Sequence, residues 1–244
     1  MARAERDARA GTIVAFAGSA EGGVEDGLPG ANSPFAEALL RYLEAPLDVG
    51  LMLRLVRDAV LESTSGRQEP VAHVSLSGRS VYLAANPASH AATRTATEGN
   101  ESTEQRAGSP RVALTIGNGA YESPTSLDNP VNDAEAVASA LERLGFEVVR
   151  LANVDRPTLY HGILEFREKA ANAEIAAVYY AGHGFRIAGD YYLVPVDMPI
   201  TSPGEMGAFA VPLDCVMHAA EPASVLRLIM LDAMFPETGK PDVR

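Results

Sequence analysis

Ile175-Ala176-Ala177-Val178-Tyr179-Tyr180-Ala181-Gly182-His183-Gly184 is the stretch that decides the fold. It is an apolar run that stops on a histidine set between two glycines. A short continuous apolar run of this kind reads as a strand buried on both faces. Residues at the end of such a strand can reach a cleft. The flanking glycines allow close backbone approach and leave amide donors exposed, as an oxyanion hole requires. By itself His183 also fits a hydrogen-bonded loop histidine with no part in catalysis.

The pattern around this strand repeats it. RVALTIGN (111–118) predicts a strand, NDAEAVASALERLG (132–145) an amphipathic helix stopped by Gly145, and FEVVRLA (146–152) another strand. Pro157 opens a helix to about Ala170, and YYLVPVD (191–197) predicts part of a β-hairpin. A short helix near 213–220 precedes VLRLIMLDA (225–233), the last strand. Strand–helix–strand alternation with short links means parallel strands covered on both faces, a three-layer α/β fold. Ligands in such folds gather at the carboxyl ends of the strands.

The N-terminal part supplies what this alternation lacks. GTIVAFAG (11–18) predicts a strand, and Asn32-Ser33-Pro34 starts a helix that carries Leu39, Leu40 and Leu43 on one face. A second helix is expected from about Asp48 to Ser63, and SVYLAA (80–85) as a closing strand. Between the parts, residues 86–110 hold no aliphatic residue larger than Ala and no aromatic, and read as a flexible linker. The last strand ends near the C-terminus with no helix to cover it. One domain assembled from a half at 1–85 and a half at 111–244 is therefore more economical than two undersized ones.

Composition narrows the partners. The 244 residues are 47% hydrophobic, enough for a sizeable core, and the formal net charge of -12 disfavours a nucleic-acid groove or an anionic membrane. The balance suits a basic peptide as well as an ordinary acidic soluble protein. Cys215 is the single cysteine, so no internal disulfide can form. No apolar run approaches the roughly 20 residues of a membrane span, and MARAERDARA at the start is not a signal peptide. A cytoplasmic protein without a metal or cofactor is expected, and the sequon-like Asn100-Glu-Ser carries no weight.

Five pieces taken in order carry a resemblance. They are a first strand ending in Gly117-Asn118, the Asn132-Asp133-Ala134 helix start, the Tyr179–Gly184 block, the Tyr192–Asp197 run and the terminal Leu231-Asp232-Ala233. Residues 111–234 resemble the large-subunit half of the caspase and metacaspase superfamily, peptidase C14. Residues 11–83 resemble its small-subunit half, through GTIVAFAG, Asn32-Ser33-Pro34-Phe35, Gly66-Arg67-Gln68-Glu69-Pro70 and Ser80–Leu83. The resemblance implies a three-layer α/β/α sandwich on a mixed six-stranded sheet. Strand 11–18 should lie beside 225–233, with 80–85 antiparallel at an edge where two copies could pair as a homodimer. The small-subunit half comes first here, which reads as circular permutation or as a fusion of two gene fragments. Chain ends are tolerated between the nucleophile strand and the small subunit, where members of the family are often cut.

The same resemblance assigns the site. His183 matches the catalytic histidine, the amide of Gly184 one oxyanion donor, and Met234 the nucleophile position. A cysteine thiolate attacks there in active members, whereas a thioether has no proton to lose and is a poor nucleophile. Asp133 and Asp232 match the two aspartates that select Arg or Lys before the scissile bond. Ala181 stands where some members have a pocket serine. Asp133 can equally serve the helix N-terminus, and Asp232 can be a simple strand-end carboxylate. Cys215, about nineteen residues upstream of Met234, does not match the nucleophile and reads as a structural thiol. The expectation is a caspase-fold pseudopeptidase that binds basic peptides. The alternatives are a cysteine endopeptidase completed by a partner chain, or an unrelated doubly wound α/β binding domain.

Overall fold

The computed structural model describes residues 10–19, 23–76, 78, 80–85, 110–121, 126–198 and 203–237. The linker at 86–110, apart from Pro110, lies outside them, as do the first nine residues and Asn100.

Nine strands and six helices alternate among the described residues. The strands are β1 (Thr12–Phe16), β2 (Val71–Ser75), β3 (Arg111–Gly117), β4 (Glu147–Ala152), β5 (Ile175–Ala181), β6 (Gly184–Ile187), β7 (Asp190–Leu193), β8 (Val211–Pro212) and β9 (Leu226–Asp232). The helices are α1 (Pro34–Tyr42), α2 (Val49–Ser63), α3 (Pro130–Arg143), α4 (Arg156–Ala170), α5 (Pro203–Phe209) and α6 (Leu213–Ala220). Local chemistry explains where the helices begin. Ser33 caps α1 ahead of Pro34, accepting the Ala36 N–H, while Asp48 caps α2 and Asp155 caps α4 with their side chains.

The main sheet runs β2-β1-β9-β5-β3-β4, with only β2 antiparallel to its neighbour, and a small sheet β6-β7-β8 stands beside it. Strands from both parts of the chain thus share one sheet, β1 pairing in parallel with β9 from Thr12↔Arg227 to Phe16↔Leu231. Every residue of β1 and β5 is buried, because α1, α2 and α3 cover one face and α4 and α6 the other. Side chains alternate along β5, so Tyr179 packs toward α1 and α3 and Tyr180 toward the opposite layer. The ends of β3, β5 and β9 align at Gly117, Ala181 and Asp232.

One edge differs from expectation. Residues 80–85 form no ladder, Tyr82 making only an isolated bridge to Asp48. The antiparallel edge is β2, whose residues alternate between half-buried and exposed. Val81 and Leu83 are buried against the start of α2 instead, where Val49 N–H donates to Val81 O and Val81 N–H to Asp48 Oδ2. Pairing of two copies through an edge strand at 80–85 has no strand to use. Among the described residues no helix is long and apolar enough to cross a membrane.

Candidate functional site

Two groups of residues meet at the carboxyl ends of β5 and β9. The first is acidic and buried: Asp133 is 1% exposed and Asp232 6%. Asp133 lies in the first turn of α3, and Asp232 is the last residue of β9. Ser33 joins them, its N–H donating to Asp133 Oδ1 at 3.0 Å and its hydroxyl to Asp232 Oδ2 at 2.5 Å. The Tyr179 hydroxyl donates to the same Asp232 oxygen at 2.8 Å. A buried carboxylate is tolerable only with such donors.

Their protonation follows from this setting. Burial, and then the charge of Asp232, push the Asp133 carboxyl up to about 8 against the lowering bond from Ser33. Burial lifts Asp232 to about 6, the bonds from Ser33 and Tyr179 holding it lower than burial alone would. The charge of Asp26 raises both. Asp26 belongs to the loop before α1, which is stitched to the start of α3. Asn129 Nδ2 donates to Asp26 O and Leu28 O, Gly30 N–H donates to Asn129 Oδ1, and Asn132 Nδ2 donates to Ala31 O. The site thus draws on residues about a hundred positions apart.

The second group is the histidine loop. Gly182 has φ +151°, and a Cβ there would lie 2.6 Å from the Tyr121 hydroxyl and 2.9 Å from that of Tyr180, so the position needs glycine. His183 is half-buried, its ring tilted against Tyr121 at 4.6 Å between centroids. Val194 N–H donates to His183 O, which makes Gly184↔Leu193 a non-hydrogen-bonded pair of the β6–β7 ladder. The Gly184 N–H therefore points away from β7, as an oxyanion donor would have to.

The chain after β9 runs along this loop. Gly182 N–H donates to Asp232 O at 3.4 Å, and Arg186 N–H donates to Pro236 O at 2.9 Å. Between these anchors Phe235 lies on Gly184, where a Cβ would stand 2.3 Å from its ring. Arg186 Nε donates to Glu237 Oε2 at 2.5 Å. Position 234 falls between these two backbone anchors, and Met234 there is 48% exposed. Cys215 sits half-buried on α6, in the layer opposite α1 and α3, where burial pushes its thiol up.

All five residues singled out from the sequence lie at this strand end: Asp133 with Asp232, and His183 with Gly184 and Met234. Ser33, read only as a helix cap, proves to be the bridge between the carboxylates. Tyr179 and Asn129 stand in strand-end clusters that the sequence marks, but without a role of their own, and Tyr121 and Asp26 had no signal, because the partners of all four are distant in sequence.

The fold and site define a three-layer α/β protein with a histidine loop and a buried acidic pair at its strand ends. Residues 110–233, just over half of the chain, match the family model of the caspase domain, and the chain belongs to this peptidase C14 family. It is 32% identical over 99 residues to human mucosa-associated lymphoid tissue lymphoma translocation protein 1, a match covering 41% of this chain and 12% of that protein. The mouse homologue matches at 32% over 102 residues, 42% of this chain and 12% of the relative. The chain therefore corresponds to about an eighth of the length of these relatives. The crystal structure of a Geobacter sulfurreducens protein matches with a TM-score of 0.41 and 19% identity, covering 51% of this chain and 50% of that one.

Proposed function

We propose that this domain is a caspase-fold pseudopeptidase: it binds a peptide through an Arg or Lys side chain and does not cleave it. The observation that carries the reading is the occupant of position 234. The backbone bonds Gly182–Asp232 and Arg186–Pro236 hold that position beside the histidine loop, yet it carries a thioether. A peptidase of this class needs a thiolate that attacks the carbonyl while a histidine manages protons. His183 and the outward Gly184 amide supply the remaining parts; Asp133 and Asp232 supply the charge that would pair with a guanidinium or ammonium.

The order of the halves belongs to the same proposal. A single sheet in which β1 and β2 follow β9 in space but precede it in sequence supports a circularly permuted domain with 86–110 as its connection.

Met234→Cys tests the reading. The wild-type domain should bind Arg- and Lys-containing peptides and leave them intact. The variant should cleave weakly after Arg or Lys, on the order of a hundredfold above background, because restored chemistry still depends on geometry held to a fraction of an ångström. His183→Ala should abolish that cleavage. A Met234→Cys protein that reacts with an alkylator but shows no histidine-dependent cleavage would rule out a formerly catalytic site.

A further inference from the structure

Two tyrosines from different strand ends grip the backbone on either side of His183. The His183 N–H donates to the Tyr121 hydroxyl at 3.0 Å, and that hydroxyl donates to Val194 O at 3.2 Å. The Tyr180 hydroxyl donates to His183 O at 2.5 Å and accepts the Val194 N–H at 3.2 Å. Val194 O also lies 3.3 Å from the Tyr180 hydroxyl, so both phenols converge on the backbone of His183 and Val194. Tyr121 is 5% exposed and Tyr180 fully buried. Burial pushes Tyr121 up to about 12 and Tyr180 well above its ordinary value, so both keep their protons throughout the working range.

The geometry points to Tyr121 as the positioning residue of the histidine loop, setting the imidazole and the peptide that enters it. Its ring lies against the imidazole, and its hydroxyl fixes the peptide entering His183. The Tyr180 bond fixes the peptide leaving it. A trans peptide directs its C=O and N–H to opposite sides, so tying His183 O toward Val194 turns the Gly184 N–H toward the chain at 234–236. A tyrosine that served only the core would not need its hydroxyl on the one amide next to the histidine. The role rests on the reading of this loop as a peptidase site, and Tyr121 acts on that site through His183.

Tyr121→Phe removes the hydroxyl and keeps the ring; Tyr121→Met removes both at similar volume. In the otherwise wild-type chain, His183 and Gly184 are followed by NMR, with His183→Gln identifying the ring resonances. Tyr121→Phe should speed hydrogen exchange of the His183 amide about tenfold and move the Gly184 amide resonance, while amides of β3 and β4 keep their protection. The imidazole resonances should shift in Tyr121→Phe and shift further in Tyr121→Met. In a Met234→Cys background Tyr121→Phe should lower kcat about tenfold with KM within twofold. Unchanged His183 amide exchange and imidazole resonances in both variants would overturn the assignment. An inactive Met234→Cys parent would count against the peptidase reading alone, since the NMR measurements need no activity.

Discussion

Asp232 and Met234 are two residues apart at the end of β9, and their surroundings could hardly differ more. Asp232 is buried, with Ser33 and Tyr179 both donating to one of its oxygens and Asp133 joined to it through Ser33. Met234 is 48% exposed, and the chain there is anchored by two backbone bonds and the ring of Phe235 on Gly184. The acidic side is an arrangement costly to keep, since carboxylates whose affinity for protons is raised by burial weaken the fold at the pH values where they ionise. The neighbouring position carries a thioether, which has no proton to give up as a nucleophile would. On the function proposed above, recognition and chemistry would occupy separate positions of one strand end, and each could be broken without the other.

The largest expected effect is on the acidic side. Asp232→Asn keeps the shape of the side chain and an oxygen for Ser33 and Tyr179, and removes the charge. Affinity for an Arg-containing peptide should fall about a hundredfold, the scale of losing one partner of a desolvated charge pair. Fluorescence anisotropy with a labelled peptide measures it. Equal binding by Asp232→Asn and wild type would place basic-residue recognition elsewhere. Asp232→Asn should leave the reactivity of the exposed Met234 toward peroxide unchanged, because the two positions face different surroundings.

A smaller effect separates Asp133 from Asp232 by pH. With Asp133 lifted to about 8 and Asp232 to about 6, the empty site holds a proton on Asp133 at neutrality. A guanidinium favours the ionised carboxylates, so binding expels protons and affinity must rise with pH. The rise should run from about pH 6 to about pH 8, through the two raised values, and level off above them. Asp133→Asn removes the upper part of that slope. The variant should match wild type near pH 6, where Asp133 is already neutral, and bind about tenfold more weakly at pH 8.5. A wild-type affinity that stays flat across this range would mean that the peptide does not meet these carboxylates.

Legibility differed in the same way between the two regions. The strand at 175–181, the cap at Ser33, the helix start near Asp48 and the helix after Pro130 were readable because periodicity and capping are local. The edge strand was misread because apolarity reports burial and not ladder membership. SVYLAA buries Val81 and Leu83 under the start of α2, whereas the short, half-polar VAHVS forms the actual edge. Among site residues, His183 and Asp232 announced themselves by ending apolar runs. Ser33 and Asp232 are 199 residues apart, and Tyr121 and His183 62, so no local pattern could pair them. The substitution at 234 was visible only because the residues around it resembled a known order.

The smallest expected effect concerns the side of the comparison that is loosely held. Arg186 and Glu237 form a half-buried ion pair just past the backbone bond from Arg186 N–H to Pro236 O, and Arg186 also lies over the ring of Tyr191. Glu237→Gln removes the charge of the pair and retains an oxygen that can still accept a hydrogen bond. The segment keeps its backbone anchors and the packing of Phe235, so the loss should resemble that of a partly screened pair, roughly 0.5–1 kcal/mol. Local opening would then become about two- to fivefold more frequent. The Arg186 amide reports it, since its N–H is bound to Pro236 O and exchanges when that bond opens. Hydrogen exchange followed by NMR should show the Arg186 amide exchanging about two- to fivefold faster in Glu237→Gln than in wild type. The amide of Met230, within β9, should not change. Identical Arg186 rates would mean that the ring of Phe235 on Gly184 fixes this segment unaided, and the contrast with the acidic side would then lie in chemistry alone and not in rigidity.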